Sequence, residues 1–301
     1  MRPVRAARGL VPVALSVPGA AWAHTLGTGA SVGWTWDTWI TVPLALSGLV
    51  ATIGWARLLA RSGQGASGLR RRGLCFLAGW LVLAGALVSP LHEAGERSFA
   101  MHMAEHELLM LVAAPLLVVS RPLAVMLWAF PLPLRRVLGG AGAAKPVTAI
   151  WRALTAPILA TALQAAALWL WHMPLLFDIA LADAGWHAVQ HVSFLASALL
   201  FWTAMLRGHD TAQRGTAILC LFATAMISGA LGALMALSAS PWYTGYSELG
   251  MAPFGLTPAE DQQVAGLLMW VPGGLVHAAA AVLLMRALLQ DRSPGTLAYA
   301  D

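Results

Sequence analysis

A chain of 301 residues that is 59% hydrophobic and only 10% charged, with a mean hydropathy of +0.71, is not an ordinary soluble domain, since those carry about a quarter charged residues. Eighteen Lys+Arg against 13 Asp+Glu give a net charge of +5 and a pI of about 10.0, but no soluble stretch is long enough to fold a nucleic-acid reader, so the basic excess is read as membrane topology. The two cysteines, Cys75 and Cys220, lie in separate apolar runs, which excludes a disulfide framework and a thiolate metal box.

In chain order, the basic start Met1-Arg2-Pro3-Val4-Arg5-Ala6-Ala7-Arg8, the apolar core from Gly9 to Ala21 and the triplet Ala21-Trp22-Ala23 predict a secretory signal over residues 1–23. Residues 24–301 then form one membrane domain. An uncleaved anchor is the alternative, against which stands a core too short to span well. Seven apolar stretches follow, each long enough for the ~20 residues of helix that cross a ~30 Å hydrocarbon core: Trp39 to Leu59, Gly73 to Leu91, His102 to Ser120, Leu154 to Met173, Trp186 to Leu206, Thr216 to Leu237 and Gln262 to Arg286. The expected fold is therefore all-α, a polytopic bundle of about seven transmembrane helices. Irregular segments are expected at Arg121 to Lys145 and Ser240 to Asp261, with Leu123 to Phe130 as an interfacial or half-inserted helix between Pro122 and Pro131. No internal repeat is visible.

Basic residues orient the bundle. Alternate connections hold Arg57, Arg61, Arg70, Arg71, Arg72, Arg121, Arg135, Arg136, Lys145, Arg152, Arg207, Arg214, Arg286 and Arg292, whereas the opposite ones hold only Arg97. This places the mature N-terminus outside and the C-terminus in the cytoplasm. Most of the 14 Trp fall near one interface or the other and are read as belt residues.

With that topology, five of the nine His share the outer end. His102 and His106 open the third span, His172 closes the fourth, and His187 and His191 open the fifth. Each HxxxH pair puts two imidazoles on one helical face a turn apart, and ionisable groups at span ends turn toward the bundle interior. Imidazole suits Cu, Zn, Fe and Ni, with added thioether favouring Cu(I); Met101, Met103, Met173 and Met269 lie near the same depth. Glu105 and Asp261 are placed to balance a cation or orient a ligand ring. His24 becomes the first residue after cleavage, His92 and His209 are expected to be solvated, and His277, deep in the last span, to bond to a neighbouring helix.

Four segments in order carry a resemblance. They are Met101-His102-Met103-Ala104-Glu105-His106-Glu107-Leu108-Leu109-Met110 with Ala114-Pro115-Leu116-Leu117, then Trp171-His172-Met173-Pro174, then Trp186-His187-Ala188-Val189-Gln190-His191-Val192-Ser193-Phe194 with Phe201-Trp202, and last Asp261-Gln262-Gln263-Val264-Ala265-Gly266-Leu267-Leu268-Met269-Trp270-Val271-Pro272-Gly273-Gly274. Together they resemble the CtaG-type cytochrome c oxidase assembly factors of bacteria. The resemblance implies a multi-pass protein of the bacterial cytoplasmic membrane that helps mature haem-copper oxidase by handling copper, with oxidase subunits and periplasmic copper chaperones as partners. In one respect the chain departs from that pattern: the family is expected to carry Gln before the second His of the first pair and Glu before that of the second, and here Glu105 and Gln190 stand the other way round.

The reading that follows is a metal-handling assembly protein, not an enzyme and not a nucleic-acid binder, with His102, His106, His172, His187 and His191 as copper-ligand candidates and Asp261 as their charge-balancing partner. Two rivals stay open. His102-x-x-Glu105-His106 matches the inverted zincin pattern, which would make a membrane zinc hydrolase with Glu105 as base. A b-type haem protein with axial His from neighbouring helices is the other.

Overall fold

The computed structural model describes residues 33–63, 66–207, 211–249 and 255–292. The expected signal segment, its cleavage site, His24 and His209 lie outside the described residues. Among those described, the chain is helical throughout, with no strands, and six helices are long and apolar enough to cross a membrane. They are α1 (Thr38–Leu59), α2 (Ala66–Val88), the composite helix Phe99–Ser120, α11 (Ala184–Leu206), α12 (Thr211–Leu237) and α14 (Pro258–Arg292).

The expected fourth span differs. Instead of one rod from Leu154 to Met173, α8 (Lys145–Leu154) meets α9 (Pro157–Trp171) at a bend of 66°, and only together do they qualify as a seventh span. Pro157 explains the break. Its ring denies Ala156 the helical conformation and its nitrogen has no hydrogen to give to the turn before. Ala156 accordingly sits at ψ 132°.

Within residues 121–145, α6 (Pro122–Met126) and a 3-10 turn (Leu127–Ala129) fall where a short helix from Leu123 to Phe130 is expected, and the remainder, expected to be irregular, holds a further helix, α7 (Leu132–Gly142). α6 packs on α1, where a Cβ on Gly54 would collide with the Val125 carbonyl. Arg57 donates to the Trp128 and Ala129 carbonyls, and Arg135 lies 4.0 Å over the Trp128 ring, so charge and indole are held together at this end of the bundle. Short helices α3 (Pro90–Gly95), α10 (Pro174–Ala182) and α13 (Thr244–Ser247) lie at the other end.

The composite third span has the local structure that positions the site. α4 (Phe99–Glu107) passes through a π-helical turn (Leu108–Ala113) into α5 (Ala114–Ser120). In π register the Met110 carbonyl faces the nitrogen of Pro115, which has no hydrogen to donate. The indole N–H of Trp202 on α11 takes its place, 2.8 Å from Met110 O. This ties the third and fifth spans together just below the histidine pairs. Trp202→Phe keeps an aromatic ring but orphans a buried carbonyl, so it is expected to cost about 1–3 kcal/mol; an unchanged melting temperature in detergent would refute that account.

The most extensive helix pair is α12 with α14. They cross at Gly232 and Gly266, where a Cβ on Gly232 would sit 2.7 Å from the Gly266 carbonyl and one on Gly266 would strike Gly232 and Ala236 backbone atoms. In lipid, where no hydrophobic force drives helices together, such close backbone approach is what makes the contact favourable. Gly266→Val is expected to destabilise by about 1–3 kcal/mol or more, read as a lower melting temperature and lower membrane yield.

Candidate metal centre

Three elements deliver the site. Ser89 caps α3, accepting from Leu91 N, with Pro90 at its first position. Ser98 caps α4, accepting from Met101 N, and Asp183 caps α11, accepting from Trp186 N at 2.8 Å. The three N-termini bring His92, the pair His102 and His106, and the pair His187 and His191 together at the end of the bundle opposite Arg121 and Arg207.

The imidazoles are in mutual contact. Ring centroids lie 4.4 Å apart for His102 and His106, 4.4 Å for His187 and His191, 5.0 Å for His106 and His191, and 5.2 Å for His102 and His187. Two triads have ligand atoms all within 4.8 Å of one another: His102, His106 and His191, and His92, Glu105 and His191. Three nitrogens held about 2.0–2.1 Å from a common ion lie roughly 3.5 Å apart, so small ring rotations close the all-histidine triad around a cation.

Partners are missing where they are most needed. Nε2 of His102, both nitrogens of His106, and Nε2 of His187 and of His191 are buried with no hydrogen bond. Burying a polar group unpaired costs about 1–3 kcal/mol in proteins. Because one His106 nitrogen must carry the ring proton, up to four lone pairs converge at one place as a cage, and a cation is what satisfies lone pairs without donors. The His102 Nδ1 lies 3.2 Å from the Tyr246 hydroxyl, whose own proton goes to the Gly95 carbonyl. His102 therefore donates from Nδ1 and keeps its lone pair on Nε2, facing the cage. Burial, with the charges of Asp261 and Glu105, raises the Tyr246 phenol well above its usual pKa, so it stays protonated.

His92 is a correction. Expected to be solvated, it is buried, its Nδ1 2.8 Å from Glu105 Oε1, and it stacks on His187 at 5.5 Å. Burial opposes a charge on its ring, but the bond to Glu105 and the carboxylates of Glu105, Glu96 and Asp37 outweigh it and raise the pKa above that of a free imidazole. The Ser-Pro start of α3 was the signal available in the sequence: an N-cap followed by Pro at the first turn marks a helix, not a solvated loop.

The other expected residues divide. His187 joins the cluster as its one incompletely buried member. His172 stands outside both triads: its Nδ1 donates to the Leu168 carbonyl at 2.6 Å, which leaves the Nε2 lone pair facing Met103 Sδ at 3.3 Å, a sulfur with no hydrogen to give. Of the other methionines, Met173 is half exposed and Met269 lines a small cavity with Glu107 and Gln164, so neither thioether joins the triads. Asp261, from α14, touches no imidazole. It accepts from Ser98 Oγ at 2.7 Å, from Phe99 N at 2.6 Å and from Ala100 N at 3.3 Å. Its carboxylate thus fixes the start of the helix that carries His102 and His106. His277 differs from expectation as well, since its Nδ1 bonds Gly273 O within its own helix while the ring stacks on Trp202.

No curated protein and no solved structure matches the chain. The family model for the cytochrome c oxidase caa3 assembly factors matches residues 49–291, from inside α1 to the last turn of α14, and so takes in every residue of the histidine cage. The chain belongs to this Caa3_CtaG family of cytochrome c oxidase caa3 assembly factors.

Proposed function

We propose that the protein binds one copper ion in the histidine cage and passes it to the oxidase during assembly. The observation that carries this reading is the set of five buried imidazole nitrogens without partners. Imidazole nitrogen suits copper, and copper is the cargo a haem-copper oxidase requires. His191 belongs to both triads, and a neutral imidazole has a single lone pair. The two triads are thus alternative positions for one ion: an outer one at His92, Glu105 and His191, and an inner one at His102, His106 and His191. His187, stacked between His92 and His102 and the least buried ring of the cluster, is the ligand on the side from which an ion arrives.

The rival chemistries are less well supported. A zinc hydrolase built on His102, Glu105 and His106 would leave the second pair, His187 and His191, without a task, although their rings pack against the first pair. Axial haem ligation needs room for a macrocycle between two imidazoles, but these rings touch. The test is metal analysis and an optical spectrum of purified protein. About one copper per chain with no Soret band is expected. A Soret band, zinc-dependent peptide cleavage, or failure to bind copper would each overturn the reading.

The proposal includes the orientation: cage outside the bacterial cytoplasmic membrane, basic end in the cytoplasm, and periplasmic copper chaperones as donors. The basic residues motivate this. In a background lacking Cys75 and Cys220, Ala239→Cys, beyond α12 at the cage end, should label from outside intact cells. Gly63→Cys, where a side chain meets open space, should not. The reverse pattern would invert the topology.

A further inference from the structure

At the opposite end of the bundle the start of α2 and the ends of α5 and α11 enclose a cavity of about 350 Å³. Its lining includes Arg71 and Arg72 from α2, Arg121 after α5 and Arg207 after α11, with Cys75 and Val119 among its less polar walls. None of the described residues lining it is acidic. Four guanidinium groups around one cavity repel one another unless an anion lies between them.

Two features separate this pocket from an ordinary collar of arginines reaching to the membrane surface. Arg207 Nε is buried with no hydrogen-bond partner, and one of its terminal nitrogens reaches only the Val118 carbonyl, at 3.5 Å. Burial and the neighbouring Arg121 charge both pull its pKa down, the mark of a cation without a counter-charge. Arg121, in turn, is the one described non-glycine residue with positive φ, at φ 52° and ψ 56°. Pro122 bars it from the right-handed helical region, and the left-handed conformation costs a non-glycine residue roughly 1–2 kcal/mol. Gly or Asn would fit that backbone better, yet the position holds an arginine beside the other three.

We propose that this pocket binds the phosphate of an anionic phospholipid. Guanidinium groups match phosphate oxygens in paired hydrogen bonds, and the volume falls within the range of small-ligand sites. A lipid fits better than a free anion because the site is amphipathic. Val119 lines the cavity while 45% exposed, and Leu74 and Leu77, neighbours of Cys75 on α2, are 66% and 50% exposed on the apolar flank of the bundle. An acyl chain can lie along that flank while its phosphate sits among the arginines, as in the basic pockets between spans that hold acidic headgroups.

The test uses the full chain in neutral detergent, with the melting temperature read by tryptophan fluorescence. Mixed micelles of phosphatidylglycerol should raise it saturably, whereas phosphatidylcholine and inorganic phosphate should not. Arg121→Gln and, as a change away from the left-handed backbone position, Arg72→Gln should each shift the phosphatidylglycerol midpoint about tenfold or more, the loss expected for a charge-assisted hydrogen bond. Arg286→Gln, at the same end but outside the pocket, should leave the midpoint unchanged. Equal stabilisation by phosphatidylcholine, or an Arg286→Gln shift as large as that of Arg121→Gln, would overturn the site; inorganic phosphate acting as strongly as the lipid would overturn the lipid assignment.

Discussion

His106→Ala and His191→Ala are expected to lower copper affinity by more than about 100-fold and to leave caa3 oxidase inactive under copper limitation, while the protein stays in the membrane. Losing even a residue that only orients a ligand typically weakens metal binding ~10–100-fold, and here a ligand itself is lost. Excess copper should restore part of the oxidase activity, because occupancy follows concentration relative to the dissociation constant. His106→Phe sharpens the test. Both His106 nitrogens are buried without partners, and the ring already packs against Phe194 at 4.7 Å. Replacing an unsatisfied buried polar group by an apolar one of similar shape is neutral or stabilising. His106→Phe should therefore match or exceed the melting temperature of the metal-free protein while abolishing copper binding. Active oxidase under copper limitation in His106→Ala and His191→Ala strains would refute the assignment, and so would a marked loss of stability in His106→Phe.

Much of this arrangement is legible in the sequence because membrane helices obey few rules. Apolar length set the spans, and the two HxxxH repeats set which rings share a face. What the sequence did not show depends on contacts between distant elements. Nothing local to Asp261 says that its carboxylate caps a helix more than 160 residues earlier in the chain, and nothing near Glu105 says that His92 will fold over it. His172 lies outside both triads for the same reason. Its depth is that of the other candidates, but depth along a helix says nothing about which way a ring at the helix end turns, and this one turns to Leu168 O and Met103 Sδ. The bend before Pro157 was readable from the proline. Hydropathy counted straight through it, since the expected span from Leu154 to Met173 joins the last residue of α8 to the whole of the apolar α9.

Asp261→Ala is expected to fail in the opposite way to His106→Phe, losing stability and copper affinity together. The Asp261 carboxylate accepts from one hydroxyl and two backbone amides at the start of α4, where the helix dipole also favours negative charge. Removing it orphans buried donors at about 1–3 kcal/mol each, so the melting temperature should fall clearly, and the looser start of α4 should displace His102 and His106 enough to weaken copper ~10–100-fold. Asp261→Asn, which keeps an acceptor oxygen but not the charge, should lie between the two. The sign of the stability change thus separates the two roles in one experiment. A group that waits for the ion stabilises the metal-free protein when replaced by an apolar ring; a group that holds the scaffold destabilises it. Thermal melts of the metal-free variants alongside copper titrations measure both quantities, and an Asp261→Ala protein with normal stability but no copper binding would make Asp261 a direct partner of the ion.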